Sequence, residues 1–259
     1  MGLFVFLQLS LKGDSVPNKV RSSRLEPWFC WSVVLLLAGS SAGFASQKKD
    51  APAASSSVFA ADKGKLAIQL DGQVVGHEEF EIVPTGGGWT ARGTTDLKQP
   101  SAPSTHVTGT LVLQPDGIPI SYEWTAQTQK KNGAHILFAN GIAKITLEME
   151  GARPFEQDLS FGAPLIVVLD NNLYNQYAVL ARLYDWSKRG QQTFPVLIPQ
   201  ELTPGSITVE STGPVSANGK SFEGLRVNTS DLEVDLFLDS NHRLMRLEVP
   251  GAKVSVVRE

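Results

Sequence analysis

Four histidines, His77, His106, His135 and His242, are the chain's obvious general bases and metal ligands. None has a His, Cys or carboxylate partner at metal-ligand spacing on one element; the nearest local cluster is His77-Glu78-Glu79. Side chains alternate along a strand, so His77 and Glu79 would share a face there. That pair could hold a metal, but a solvated strand face just past a hairpin is the plainer expectation. No Gly-x-Ser-x-Gly string offers a nucleophile elbow, and Pro204-Gly205-Ser206 is a turn. The single cysteine, Cys30, lies in an N-terminal segment expected to be removed, which excludes thiol catalysis in the mature chain. Gly86-Gly87-Gly88 falls between strands rather than before a helix, so it reads as a turn and not a phosphate cradle. No catalytic residue, metal ligand or cofactor is assigned.

Two clusters remain. Asp170-Asn171-Asn172 sits between an apolar strand and a helix, where backbone N–H groups can hold an anion. Asn171 and Asn172 are therefore candidate anion-binding residues, and helix capping is the favoured alternative. Aromatic and aliphatic side chains make the second cluster. Tyr177, Leu180 and Tyr184 fall on one side of the helix, and with Trp124 on a strand they are candidates to line an apolar cavity. Core packing is the commoner use of such residues.

The elements that position these residues read as mostly β. Asp71-Gly72 and Asn140-Gly141 are hairpin signals, because a type I′ turn needs positive φ at both central residues. Asn132-Gly133 gives the same signal less cleanly. Thr105 to Leu113 alternates, with Val107, Gly109, Leu111 and Leu113 on one face. Leu232 to Leu238 alternates likewise. One stretch breaks the pattern: residues 173–188 have helical periodicity, with N-cap residue types before them and Gly190 after. The polar stripe of that helix is narrow, so curved rather than flat surroundings are expected. The expected fold is mainly β, a curved antiparallel meander forming a half-barrel or partly open barrel around one central α-helix.

Composition bounds the rest. The 259 residues are 42% hydrophobic and 19% charged, with a net charge of -3. Residues 1–45 carry four basic and two acidic side chains, so the remainder carries -5. Such a surface lacks the field that attracts nucleic acid, and no nucleic-acid partner is expected. Lys19, Arg21 and Arg24 precede the apolar run Trp28 to Ala38, and small residues follow to Ala45. That order predicts a cleaved signal peptide over residues 1–45 and a periplasmic or secreted protein. Residues 46–62, small and polar, read as a flexible leader. Residues 63–259 read as a single domain without a cysteine, stabilised by its core alone.

The signal peptide followed by a curved antiparallel sheet with a helix resembles the periplasmic lipoprotein carriers of the LolA/LolB type. The stretch Asp235 to Glu259, DLFLDSNHRLMRLEVPGAKVSVVRE, looks like the last hairpins of uncharacterised periplasmic families with such a sheet. Val168 to Pro199 looks like β modules that accompany some secreted hydrolases. The helix stands mid-chain, a departure from the carriers. The narrow polar stripe of the helix and the aromatic content point to a lipid or other apolar ligand held between sheet and helix. The alternative is a non-catalytic interaction or scaffolding module with an envelope protein as partner.

Overall fold

A computed structural model of the chain describes residues 58–98, 103–217, 219–229 and 232–259. The predicted signal peptide and most of the predicted leader lie outside the described residues. The strands of the first half are β1 Asp62–Leu70, β2 Gln73–Thr85, β3 Gly88–Leu97, β4 Thr105–Leu113, β5 Pro119–Gln127, β6 Lys131–Ala139, β7 Ile142–Met149 and β8 Phe155–Ser160. Next come β9 Val167–Val168, the helix α1 Asn175–Leu183 and β10 Gln192–Ile198. The second half closes with β11 Thr203–Ala217, β12 Lys220–Asn228, β13 Glu233–Leu238, β14 Leu244–Val249 and β15 Val254–Arg258.

All 15 strands form one sheet, in the order β8 through β1, then β15 down to β9. Almost every neighbour in space is a neighbour in sequence, which is a meander built of hairpins. The exception that closes it is β1 against β15, where Leu66 pairs with Arg258 and Leu70 with Val254. The parallel pair, β9 with β10, is joined through α1, because a parallel pair needs a crossover. Register shifts at Ile68/Gln69, Val112/Leu113, Ser211/Gly213 and Phe237/Leu238 add local bend and twist. The sheet curls until β8 comes within 8 Å of β11. The predicted mainly β, curved antiparallel meander around one helix is the observed fold.

Cross-strand register explains the concave lining. Ile82, Ala91, Leu111, Tyr122, Ile136 and Ile145 are successive partners from β2 to β7, and all are buried. One step along the strands the row is Phe80, Gly93, Gly109, Trp124, Ala134, Leu147 and Phe155. The next row is Glu78, Thr95, Val107, Ala126, Asn132 and Met149. Helix α1 lies against β3 and β14. Its residues from Asn175 to Ala181 are all buried, so it is lined by sheet on more than one side.

Three local expectations are corrected. Asn132-Gly133 is not a turn: both residues lie within β6, and the chain reverses before Lys131, which pairs with Gln127. Gly133 is needed for space, since a Cβ there would stand 2.7 Å from the Trp124 carbonyl oxygen. The helix ends at Leu183 rather than near 188. Asp185 ends it by taking the Ser187 N–H at 3.1 Å, a local bond that competes with helix continuation. Finally, the fold takes in residues assigned to the leader: Phe59 is in the core beside Trp89, and Asp62 opens β1.

Candidate functional site

The four candidate ligand-binding side chains are in the core. Trp124 is 4% exposed, Tyr177 5%, Leu180 0% and Tyr184 2%, and all four belong to one continuous cluster. A water-sized hollow beside them would leave more of their surface bare. The space between helix and sheet around these residues is filled. Tyr184 also uses its hydroxyl, donating to the Gly190 carbonyl at 2.8 Å and accepting the Ser211 N–H at 3.2 Å.

The candidate anion site is where the sequence is least transparent. Asn171 is buried and its N–H donates to Gln200 Oε1 at 3.2 Å. Asn172 adopts a φ of 67°, the left-handed conformation that Asn tolerates. Neither caps the helix: the N-cap position is Tyr174, with no side-chain cap of its own. The helix start is instead bound by Glu78, which comes from β2. Its carboxylate accepts the Tyr174 N–H at 2.7 Å and the Asn175 N–H at 3.0 Å. A carboxyl does occupy this helix end, and it is the protein's own.

Glycine makes that contact possible. Gly93 and Gly109 face each other across β3 and β4 and leave a trough in the concave face. A Cβ on Gly93 would come within 2.8 Å of both Asn175 Oδ1 and Glu78 Oε1. A Cβ on Gly109 would stand 2.5 Å from Leu173 Cδ1 and 2.8 Å from the Tyr122 hydroxyl. The first turn of the helix rests in this gap.

A second buried carboxyl lies close by. Tyr122 donates its hydroxyl to Asp170 Oδ2, and the Asp170 N–H donates to Gln176 Oε1. Burial raises Asp170 to about 8, against the opposing pull of Tyr122 and the Asn171 backbone. Burial likewise raises Glu78 to about 8, against the two helix N–H groups. Tyr122 is pushed up by burial and then by the Asp170 charge. Two carboxyls of this kind flanking a phenol are a set that could move protons. Glu78, Tyr122 and Asp170 are all buried here, between the sheet and the helix. The cluster therefore acts as a clamp between strands and helix. Asp170 Oδ1 and Thr95 Oγ1 are buried without a hydrogen-bond partner.

Sequence reasoning grouped Glu78 with the polar pair His77 and Glu79. The signal that separates it was available: Glu78 shares parity with Phe80 and Ile82, so it is a lone carboxyl on an apolar strand face. His77 and Glu79 face the other way. His77 Nδ1 stands 3.5 Å from Glu259, and His106 Nδ1 lies 2.7 Å from Asp96. Among the described residues no three metal-ligating side chains converge.

No family profile matches the chain, and no curated protein does. It is similar to solved structures at low identity. One is a β-barrel-like protein of domain of unknown function DUF1849 from Brucella abortus, with a TM-score of 0.50 and 12% identity over 76% of this chain and 94% of that one. Another is a DUF1089 family protein from Pseudomonas aeruginosa, with a TM-score of 0.44 and 11% identity over 68% of this chain and 89% of that one. At these identities the likeness to the Brucella protein is one of fold alone: a β-barrel-like sheet.

Proposed function

We infer that the chain is an exported, non-catalytic interaction module of the cell envelope, holding a rigid curved sheet out to a protein partner. The observation that carries this reading is the packed interior. The helix fills the concave face where an apolar ligand was expected, and the acid–phenol cluster is buried between sheet and helix. Export rests on the basic, apolar and small-residue order of residues 1–45.

A second reading keeps an apolar ligand and moves it. Leu147, Met149 and Phe155 line the concave face toward the β8 edge, away from the Glu78 clamp, and Met149 and Phe155 are 43% and 47% exposed. A lipid chain laid along this strip would cover them.

Lipid extraction and mass spectrometry of the purified mature chain, with titration of an apolar fluorescent probe, separate the two readings. The interaction module yields no stoichiometric lipid and no saturable probe site. One apolar molecule per chain, lost on Phe155→Ser, would replace it with the lipid reading.

A further inference from the structure

The sheet has two ends, and they are finished differently. At one, β9 is two residues long, Val167 and Val168, both buried. At the other, β8 has six residues and a paired neighbour on one side only. On its concave side, exposure grows from Leu159, at 7%, to Phe155, at 47%, so that side is covered at the strand's end and open at its start.

Hydrogen-bond parity fixes which backbone groups of β8 are free. In an antiparallel pair, residues alternate between bonding the neighbour and pointing away from it. The Phe161 N–H donates to the Gly141 carbonyl at 2.8 Å, and this pair continues the register in which Ile142 faces Ser160 and Leu147 faces Phe155. The odd-numbered residues of β8 therefore bond β7. The Glu150 N–H donates to the Lys131 carbonyl at 2.9 Å, which agrees, since it assigns the even-numbered residues of β7 to β6. The N–H and C=O groups of Glu156 and Asp158 accordingly point out of the sheet edge, where a further strand would bond them.

Side chains select the occupant. Glu156 and Asp158 are exposed on the convex face, with Thr146 and Lys144 opposite them on β7. Glu148 follows Thr146 on that face, so the two strands present one cation and three carboxylates outward. Glu150 and Arg153, in the connecting turn, offset each other. A second copy docking through its own β8 would set Glu156 opposite Asp158, or Asp158 opposite itself, and like charges in opposition are destabilising. Edge carboxylates of this kind guard a strand against self-pairing, but they favour a strand that brings Lys or Arg. On the concave side Phe155 and Met149, 47% and 43% exposed, offer apolar surface to the alternate residues of such a strand.

We propose that β8 takes an extended segment of a partner protein as an added antiparallel strand, with Lys or Arg opposite Glu156 and Asp158 and an apolar residue facing Phe155. This names the docking edge of the interaction module inferred above, and rests on that reading.

The test is NMR-detected hydrogen exchange on the mature chain at low salt, with a short peptide alternating Lys and Val and its Glu-for-Lys counterpart. The Lys peptide should bind and slow exchange at the Glu156 and Asp158 amides, while the Gln157 amide, already bonded to β7, keeps its rate. The Glu peptide should bind about tenfold more weakly or worse. Asp158→Pro should abolish binding with the fold intact, since its N–H points outward and costs no bond to β7. The double variant Glu156→Lys, Asp158→Lys should reverse the preference between the peptides, which keeps the charge argument testable if the proline variant fails to fold. The proposal is overturned if neither peptide protects those two amides, if both peptides bind alike, or if Asp158→Pro binds as the native chain does. Protection of the same amides without peptide, in a dimer, overturns it in favour of a second copy. Its failure leaves the interaction reading standing, because that reading falls only on stoichiometric lipid.

Discussion

At the N-terminal end of α1 a carboxyl from a strand nearly a hundred residues away accepts both leading amides, and the sheet is cut back to glycine to let the helix in. At the C-terminal end an arginine lies half-covered beside carboxylates that other arginines already hold. The contrast separates two ionisable side chains in one fold. A buried carboxyl that meets its partners within the chain fixes the position of an element. A half-exposed arginine that holds no carboxylate of its own fixes little.

The largest way to stress the comparison is pH. In the unfolded chain the Glu78 and Asp170 carboxyls ionise near 4, and in the fold burial holds their protons to about 8. Between those values the folded state binds more protons than the unfolded one. The contribution of these two carboxyls to stability should therefore be full below about pH 4, fall as pH rises toward 8, and level off above it, by up to about 1.4 kcal/mol per pH unit for each carboxyl. Urea unfolding across this range measures it, and Glu78→Gln should flatten part of the slope.

Substitutions come next in size. Glu78→Ala strips the acceptor from two buried amides and leaves a hole, and should lower unfolding free energy by about 3 kcal/mol. Gly109→Ala forces a methyl into Leu173 and the Tyr122 hydroxyl, with an expected loss of about 2 kcal/mol by the same measurement. Tyr122→Phe removes the donor to Asp170 and should cost about 1–2 kcal/mol, with a shift in the pH profile that a purely apolar contact would not cause. The smallest expected effect is at the other end of the helix. Arg182→Met should change stability by no more than about 0.5 kcal/mol. Equal losses at Glu78 and Arg182 would erase the distinction between the two ends.

Much of the frame was legible in the sequence. Asp71-Gly72 and Asn140-Gly141 take the positive φ angles that their hairpins demand. The helix stands where the period changed, and its narrow polar stripe correctly implied curved surroundings. What escaped is long-range. Local chemistry around Asp170-Asn171-Asn172 suggested a cap, but the cap comes from β2, and no local rule links Glu78 to Tyr174. Asn132-Gly133 looked like a turn because the same glycine that permits positive φ also permits close approach of strands. The apolar side chains Tyr177, Leu180, Tyr184 and Trp124 have a pattern that fits core or cavity, with core the commoner use, since both are lined by the same residue types.

Native-state hydrogen exchange at the Tyr174 and Asn175 amides tests the clamp most directly. The account predicts that both exchange only on global unfolding, and that Glu78→Gln speeds them selectively while amides in the middle of β4 and β5 keep their protection. Exchange of these two amides on the timescale of an exposed loop in the native chain, with the strands protected, would contradict it.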